Sequence, residues 1–264
     1  MATTLLDIKA LGKRFPARAG REPPPWIIQD MTFSVGAGEL LTIVGPSGAG
    51  KSTLLNIIAQ IESASAGEIT FDGERIAAVD QKALHPGLNR RIGYVTQDDN
   101  LLPWRTTTDN VLFPLEVQGT LNDEARARAA ELIAAVGLTG FEKYYPHELS
   151  GGMRKRAALI RTLVYDPPMI LMDEPFAAVD AQTRTQLQED LLRLWSLKRK
   201  TIIFVTHDIT EAIALGDRAL VLTKRPSRIA AEHPIPIPRP RNVKDIFTMP
   251  GFAAIYERIR ADVQ

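Results

Sequence analysis

The sequence of 264 residues predicts an α/β protein built on a mainly parallel sheet with helices on both faces. Three observations lead there. Short apolar runs such as TIIFV and MILM have the length of buried strands, and they alternate with stretches at helical spacing. The segment GPSGAGKST, Gly45 to Thr53, lies between one such strand and one such helix. A middle stretch, about residues 98–165, changes character and reads as helical.

In chain order, the alternation in LLDIKAL and IIQDMTFSV predicts two strands, separated by a Pro/Gly/Arg loop from Pro16 to Pro25. ELLTIVG is a short apolar strand, and KSTLLNIIAQI continues at helical spacing. GEITFDGERI predicts a hairpin that turns at Asp72-Gly73, and RIGYVTQ a further strand. TTTDNVLFPLEVQG, LNDEARARAAELIAAVG and SGGMRKRAALIRTLVY read as three helices with Thr, Asn and Ser start signals. PMILMDEP restores a buried strand. An amphipathic helix, AQTRTQLQEDLLRLWSLKRK, follows, then the strand TIIFVTH, the helix DITEAIALG and the strand DRALVL. HPIPIPRPRN is Pro-rich and extended, and a short helix is expected from Phe252 to Val263.

Composition narrows the function classes. Apolar content of 45% and charged content of 24% are those of an ordinary globular protein. A net charge of +1 gives no strong field towards nucleic acid or anionic lipid, and no nucleic-acid partner is expected. The absence of cysteine excludes disulfides, thiolate metal sites and thiol catalysis, and suits a reducing compartment. The opening MATTLLDIKALGKRF lacks the pattern of a signal peptide, and no apolar run approaches the ~20 residues of a membrane span. The expectation is a cytoplasmic protein.

Gly45, Pro46, Ser47, Gly48, Ala49, Gly50, Lys51 and Ser52 fit G-x-x-x-x-G-K-[ST], and Thr53 follows. Glycines let backbone N–H groups wrap phosphates, Lys51 reaches the β- and γ-phosphates, and the Ser52 hydroxyl suits Mg²⁺. A chance match somewhere in the chain is on the order of a per cent, and the strand–loop–helix context lowers it further. Phosphoryl transfer also needs a carboxylate near Mg²⁺ and a group that activates water. At the end of MILMDE, Asp173 is placed for the metal, directly or through water, and Glu174 for the base. Taken alone, Asp173-Glu174-Pro175 is equally a polar strand end entering a turn; after a P-loop the catalytic reading prevails. His207 closes TIIFVTH, where it could polarise or sense a γ-phosphate.

HELSGGMRKR, His147 to Arg156, offers a second anion trap, because a Gly pair exposes N–H groups at a helix start. With this motif the chain resembles the nucleotide-binding subunit of ATP-binding-cassette (ABC) transporters, from about Leu5 to Arg241 and with six motifs in the family's order. Walker A is Gly45 to Thr53, the Q-loop residue is Gln97, the signature is LSGGM from Leu149 to Met153, and Walker B is Ile170 to Asp173 with Glu174 following. The D-loop AAVD ends at Asp180, and His207 is the switch histidine.

The resemblance implies the ABC ATPase fold: a P-loop NTPase core, an antiparallel β subdomain and an inserted helical subdomain at about 98–165. The ATPase domain is expected over 1–241 and a partly helical tail over 242–264. The cofactors implied are ATP and Mg²⁺, with Ser52, Gln97 and Asp173 on the metal and Glu174, His207 and Gln97 in catalysis. Ser150, Gly151 and Gly152 are expected to contact the γ-phosphate held by a second copy's Walker A, so that two chains close head-to-tail over two ATP molecules. Asp180 ties the D-loop to that partner's site, and Phe15 stands where an aromatic ring stacks on adenine.

Within the family the chain is similar to the nitrate/sulfonate/taurine importer group, on QDDNLLPWRTTTDNV, YPHELSGGM, DEPF, VTHDITEA and PIPRPR. This implies an importer of a small anion such as a sulfonate, taurine, nitrate or bicarbonate, peripheral on the cytoplasmic face of a bacterial inner membrane. A permease coupling helix is expected to dock near Leu101, Leu102 and Trp104, whose exposed apolar surface suits an interface, and a solute-binding protein acts indirectly. Exporter or lipid-transport ATPases, and non-transport ABC ATPases, are the alternatives. Met153 stands for the commoner Gln, MRKR for MRQR, IIAQIES for a Gly-containing helix end, and AAVD, from Ala177, for GALD. These departures lie beside the chemistry.

Overall fold

The computed structural model describes residues 3–16, 24–78 and 88–263. Most of the loop expected from Pro16 to Pro25 therefore lies outside the described residues. The strands are β1 (Thr4–Lys13), β2 (Ile28–Gly36), β3 (Leu40–Val44), β4 (Ala66–Phe71), β5 (Glu74–Ala78), β6 (Ile92–Val95), β7 (Met169–Asp173), β8 (Thr201–Thr206), β9 (Arg218–Leu222) and β10 (Ile229–Pro234). The helices are α1 (Lys51–Ile58), α2 (Leu88–Arg91), α3 (Thr107–Val117), α4 (Asp123–Ala135), α5 (Gly151–Leu163), α6 (Ala181–Lys198), α7 (Ile209–Leu215) and α8 (Phe252–Asp262). They fall into two compact units, one of Met1–Leu88 with Lys200–Gln264 and one of Asn89–Arg199.

The first unit holds an antiparallel sheet in the order β2-β1-β4-β5. Asp72 and Gly73 turn its hairpin at φ 52° and 79°, the left-handed pair that matches strand twist in a two-residue turn. Leu6 and Ile8 of β1 and Met31, Phe33 and Val35 of β2 are buried, as alternation on a half-buried sheet requires, and a register shift between Ile8 and Leu11 moves the period so that Leu11 is buried as well. Its second set of strands is parallel at the centre, β3 lying between β8 and β9. Every residue of β3 and β8 is buried, so these strands read as near-continuous apolar runs, with threonine as their polar residue.

An antiparallel strand, β10, closes that side against β9. The sequence pattern does not announce β10, because its side chains alternate only between half-buried and exposed. Pro234 sits at its end, where an edge strand tolerates a missing donor. The expected tail helix forms as α8, which packs Phe252, Ile255 and Ile259 inwards against α7 and β10. His233 and Asp262 pair at 2.7 Å. Arg241 is buried and donates to the carbonyls of Ile213, Gly216, Ile235 and Ile237. That burial pushes its guanidinium pKa down to about 10.

In the second unit β6 and β7 run parallel, and α5 packs on α3, α4, α6 and β6. The three helix starts expected from sequence form as side-chain caps. Thr106 accepts from Asp109 N, Asn122 from Ala125 N and Ser150 from Met153 N. The start of α5 is anchored to α6 by Asp190, a buried carboxylate that accepts from Arg156 Nε at 2.9 Å and Arg193 at 3.0 Å. Removing those arginines would strand a buried charge, at a cost of about 3–5 kcal/mol.

Candidate functional site

In the first unit the P-loop joins β3 to α1. Gly48 and Gly50 take φ 78° and 83°, a left-handed backbone that a side chain would strain. A Cβ on Gly50 would meet Ile27 Cγ2 at 2.8 Å, whereas one on Gly48 would project into open space with no atom within 4 Å. No side chain caps α1, so its first-turn N–H groups remain for an anion. Lys51, only 5% exposed, donates to the Gly45 carbonyl at 2.8 Å and the Pro46 carbonyl at 3.2 Å. Ser52 is exposed and Thr53 half-buried on that turn. Glycine conformation, open donors and a cation held over the loop together fit polyphosphate.

Strand pairing sets the neighbours of this loop. β3 and β8 are parallel with Val44 opposite Thr206, so Gly45 and His207 leave the same end of adjacent strands. His207 is exposed there, and Asp208 follows it as the cap of α7, accepting from Thr210 N and Glu211 N. Phe15 is 41% exposed, with the Lys13 ammonium 5.1 Å from its ring centroid. Sequence reading missed Arg225, whose Nε donates to the Gly48 carbonyl at 2.5 Å. Nothing local marks it, since 177 residues separate the two.

The second unit repeats that logic. β6 and β7 are parallel with Val95 opposite Met172, so Gln97 and the Asp173-Glu174 pair emerge at one end of adjacent strands. Both carboxylate residues are half-buried. Glu174 has φ 43°, a conformation costing on the order of 1–3 kcal/mol that concentrates at functional sites. Burial, and then the charge of Asp173, push the Tyr94 hydroxyl pKa well above its ordinary value.

Ser150 and Asp180 are also linked in this unit. Asp180 caps α6 by accepting from Thr183 N at 3.0 Å, and these bonds to Thr183 hold its carboxyl below the usual range. The methyl of Thr183 stands 2.7 Å from where a Cβ on Gly152 would lie. The start of the signature helix is thus packed on the start of α6. Gly151 and Ser150 are exposed.

One expectation needs correction. Of the apolar trio at 101–104, Leu101 is only 8% exposed and contributes no open surface; Leu102 is half-buried and Trp104 is 71% exposed. The cause is Asn110, wholly buried on α3. Its Oδ1 accepts from Leu102 N at 2.7 Å, and its Nδ2 donates to the carbonyls of Leu102, Arg105 and Thr106. The loop is folded around that amide, turning Leu101 inwards. Leu102 instead lines a cavity of about 310 Å³ with Tyr94, Phe113, Val117, Arg161 and Tyr165 among others.

Comparison with known proteins agrees with this geometry. A family model described as ABC transporter matches residues 28–177. An uncharacterized ABC transporter ATP-binding protein of Methanocaldococcus jannaschii is 46% identical over 215 residues, which are 81% of this chain and 77% of that protein. The taurine import ATP-binding protein TauB of Pseudomonas syringae pv. tomato is 39% identical over 263 residues, 98% of this chain and 95% of TauB. The aliphatic sulfonates import ATP-binding protein SsuB of Bacillus subtilis is 39% identical over 238 residues, 90% and 87% of the respective chains. Among solved structures, the dimeric post-hydrolysis state of an ATP-binding cassette bound to ADP and Pi matches with a TM-score of 0.74 at 32% identity. That match covers 88% of this chain and 99% of the other.

Proposed function

The chain belongs to the ABC transporter family, and from that premise we propose that it is the ATP-hydrolysing subunit of an importer for a small anion, with taurine or an aliphatic sulfonate as the leading class. The observation that supports this best is the uncapped, glycine-turned start of α1 with Lys51 drawn over it, in a chain whose relatives are named for import over nearly its full length. No described helix is long and apolar enough to cross a membrane. In keeping with relatives named as import ATP-binding proteins, the reading assigns passage of the solute to a separate permease at whose cytoplasmic face this subunit works.

ATP is the substrate. The N–H groups of Gly48 to Thr53 and the Lys51 ammonium hold its phosphates, and Phe15 offers its ring to the adenine. Glu174 takes the proton from the attacking water, whose oxygen bonds to the γ-phosphorus as the bond to the ADP oxygen breaks. Gln97 and His207 orient that water and the γ-phosphate. Ser52, Asp173 and Gln97 are the residues that would hold Mg²⁺; one carboxylate with a hydroxyl suits an ion that otherwise takes phosphate oxygens. When bound, that ion neutralises charge on the β- and γ-phosphates.

Ser150, Gly151 and Gly152 are assigned to the γ-phosphate of a second copy, in keeping with the dimeric relative, and Asp180 to the partner's site. The permease's coupling helix is assigned to the 310 Å³ cavity and to Trp104. Complementation tests the composite site. Lys51→Ala and Ser150→Arg should each inactivate the chain, and mixing the two should restore hydrolysis, because one of the two sites then has both wild-type halves. No recovery on mixing would place a whole site within one chain and end this reading. ATP-driven uptake of taurine by vesicles carrying the assembled importer checks the solute class.

A further inference from the structure

The segment that follows Gln97 is acidic, Asp98-Asp99, and the helix it lies on is basic. Arg154 donates from Nε to Asp99 Oδ2 at 3.0 Å, and Arg161, two turns further along α5, donates to the carbonyls of Asp99 at 2.8 Å and Asn100 at 2.6 Å. Between them Lys155 donates from Nζ to the carbonyl of Gln97 itself. Lys155 is half-buried, and that burial lowers its pKa below the ordinary lysine value although the charges of Asp99 and Asp98 oppose the shift. Three cations of one helix therefore fasten Gln97, Asp99 and Asn100. The same helix begins at Ser150.

From this geometry we infer that Lys155 is a positioning residue: its ammonium fixes the backbone at Gln97, and so the reach of the Gln97 side chain, relative to the signature helix. The inference rests on the proposed role of Gln97 in ATP hydrolysis. The physical basis is a charged donor. A charged donor makes a stronger bond to the Gln97 carbonyl than a neutral amide would, and α5 is held in turn by Asp190 through Arg156. Arg154 and Arg161 hold residues 99 and 100 with or without Lys155, so its removal loosens only the Gln97 end. A displacement of the 97–100 segment and a displacement of Ser150 are then one motion of α5.

The test measures steady-state ATP hydrolysis and thermal midpoint for the full-length chain. Lys155→Met, which keeps the stem and deletes the donor, should lower kcat by ~10-fold or more, the scale on which supporting partners of functional side chains act. KM for ATP and the thermal midpoint should stay near wild type, and Lys155→Arg should recover most of the rate. In a Gln97→Ala background the same Lys155→Met change should cost nothing further, because the side chain it positions is gone. A Lys155→Met chain with wild-type kcat, or a loss that adds fully to that of Gln97→Ala, overturns the inference. If kcat falls only together with the thermal midpoint and Lys155→Arg does not rescue it, the contact is merely structural and the inference fails. A wild-type chain that hydrolyses ATP, with Gln97→Ala impaired and Lys155→Met intact, would sink the clamp and leave the function standing. A wild-type chain without hydrolysis would remove both.

Discussion

Among the described residues two helix starts are glycine-rich, and they are built differently. At α1 the helix begins after Gly50 in a left-handed conformation, without a side-chain cap and with Lys51 drawn over the loop. At α5 the helix begins after Ser150 in an extended conformation, and the Ser150 hydroxyl accepts from Met153 N at 3.3 Å. Its following cations turn inwards, Arg154 to Asp99, Lys155 to Gln97 and Arg156 to Asp190. Gly152 is required by the fold, because Thr183 leaves no room for a Cβ. Gly151 is not: a Cβ there would meet only the end of Arg154, at 3.9 Å. One start is a cradle with its own cation; the other is an ordinary capped helix with one glycine more than packing needs. On the proposed reading that surplus glycine is where a second copy's phosphate comes close to the backbone.

Four measurements bear on this difference. The largest effect is expected at Glu174, the carboxylate to which the proposed function assigns activation of the water. Glu174→Gln should lower kcat by ~10²–10⁴-fold, as loss of a general base does, with nucleotide binding intact in an equilibrium titration. Undiminished phosphate release would reassign the base. Next, Lys51→Ala removes the cradle's own cation. Nucleotide affinity should fall ~10–100-fold, the value of a lost charged hydrogen bond, while circular dichroism stays native; unchanged affinity would make α1 no different from α5.

The two signature glycines separate function from packing. Gly151→Ala should leave the thermal midpoint in place but slow hydrolysis by up to ~10²-fold, as misplacement of a reacting group does. Gly152→Ala should instead destabilise by about 1–3 kcal/mol through overpacking on Thr183, seen in a denaturant titration. If the two variants behaved alike, Gly151 would have no role of its own. The smallest effect concerns Asp180. Bonds from Thr183 lower its pKa in the folded chain, so its contribution is present above the ordinary aspartate value and is lost as pH falls through the lowered one. Asp180→Asn should flatten that acid limb of stability, and an unchanged limb in acid melts would show that the cap contributes nothing there.

Local signals were legible because they rest on near neighbours in sequence. The P-loop, the caps at Thr106, Asn122 and Ser150, and the Asp72-Gly73 turn each join residues within a few positions. Leu101 was misjudged for the opposite reason. Its burial depends on Asn110, a polar residue inside an apolar helix face that has no meaning until the loop is folded over it. β10 escaped because an edge strand with half-wet faces has no period to read.

The sequence by itself determined the alternation of strands and helices, the family, and the residue types that can bind and cleave ATP, since motif and period are local properties of the chain. Tertiary structure decided what those residues lean on. Arg225 reaches Gly48 across 177 positions, Lys155 reaches Gln97 across 58, and Thr183 makes Gly152 indispensable while leaving Gly151 open. Such contacts depend on how separate elements pack, and a hydrogen bond between distant positions leaves no spacing in the sequence from which it could be read.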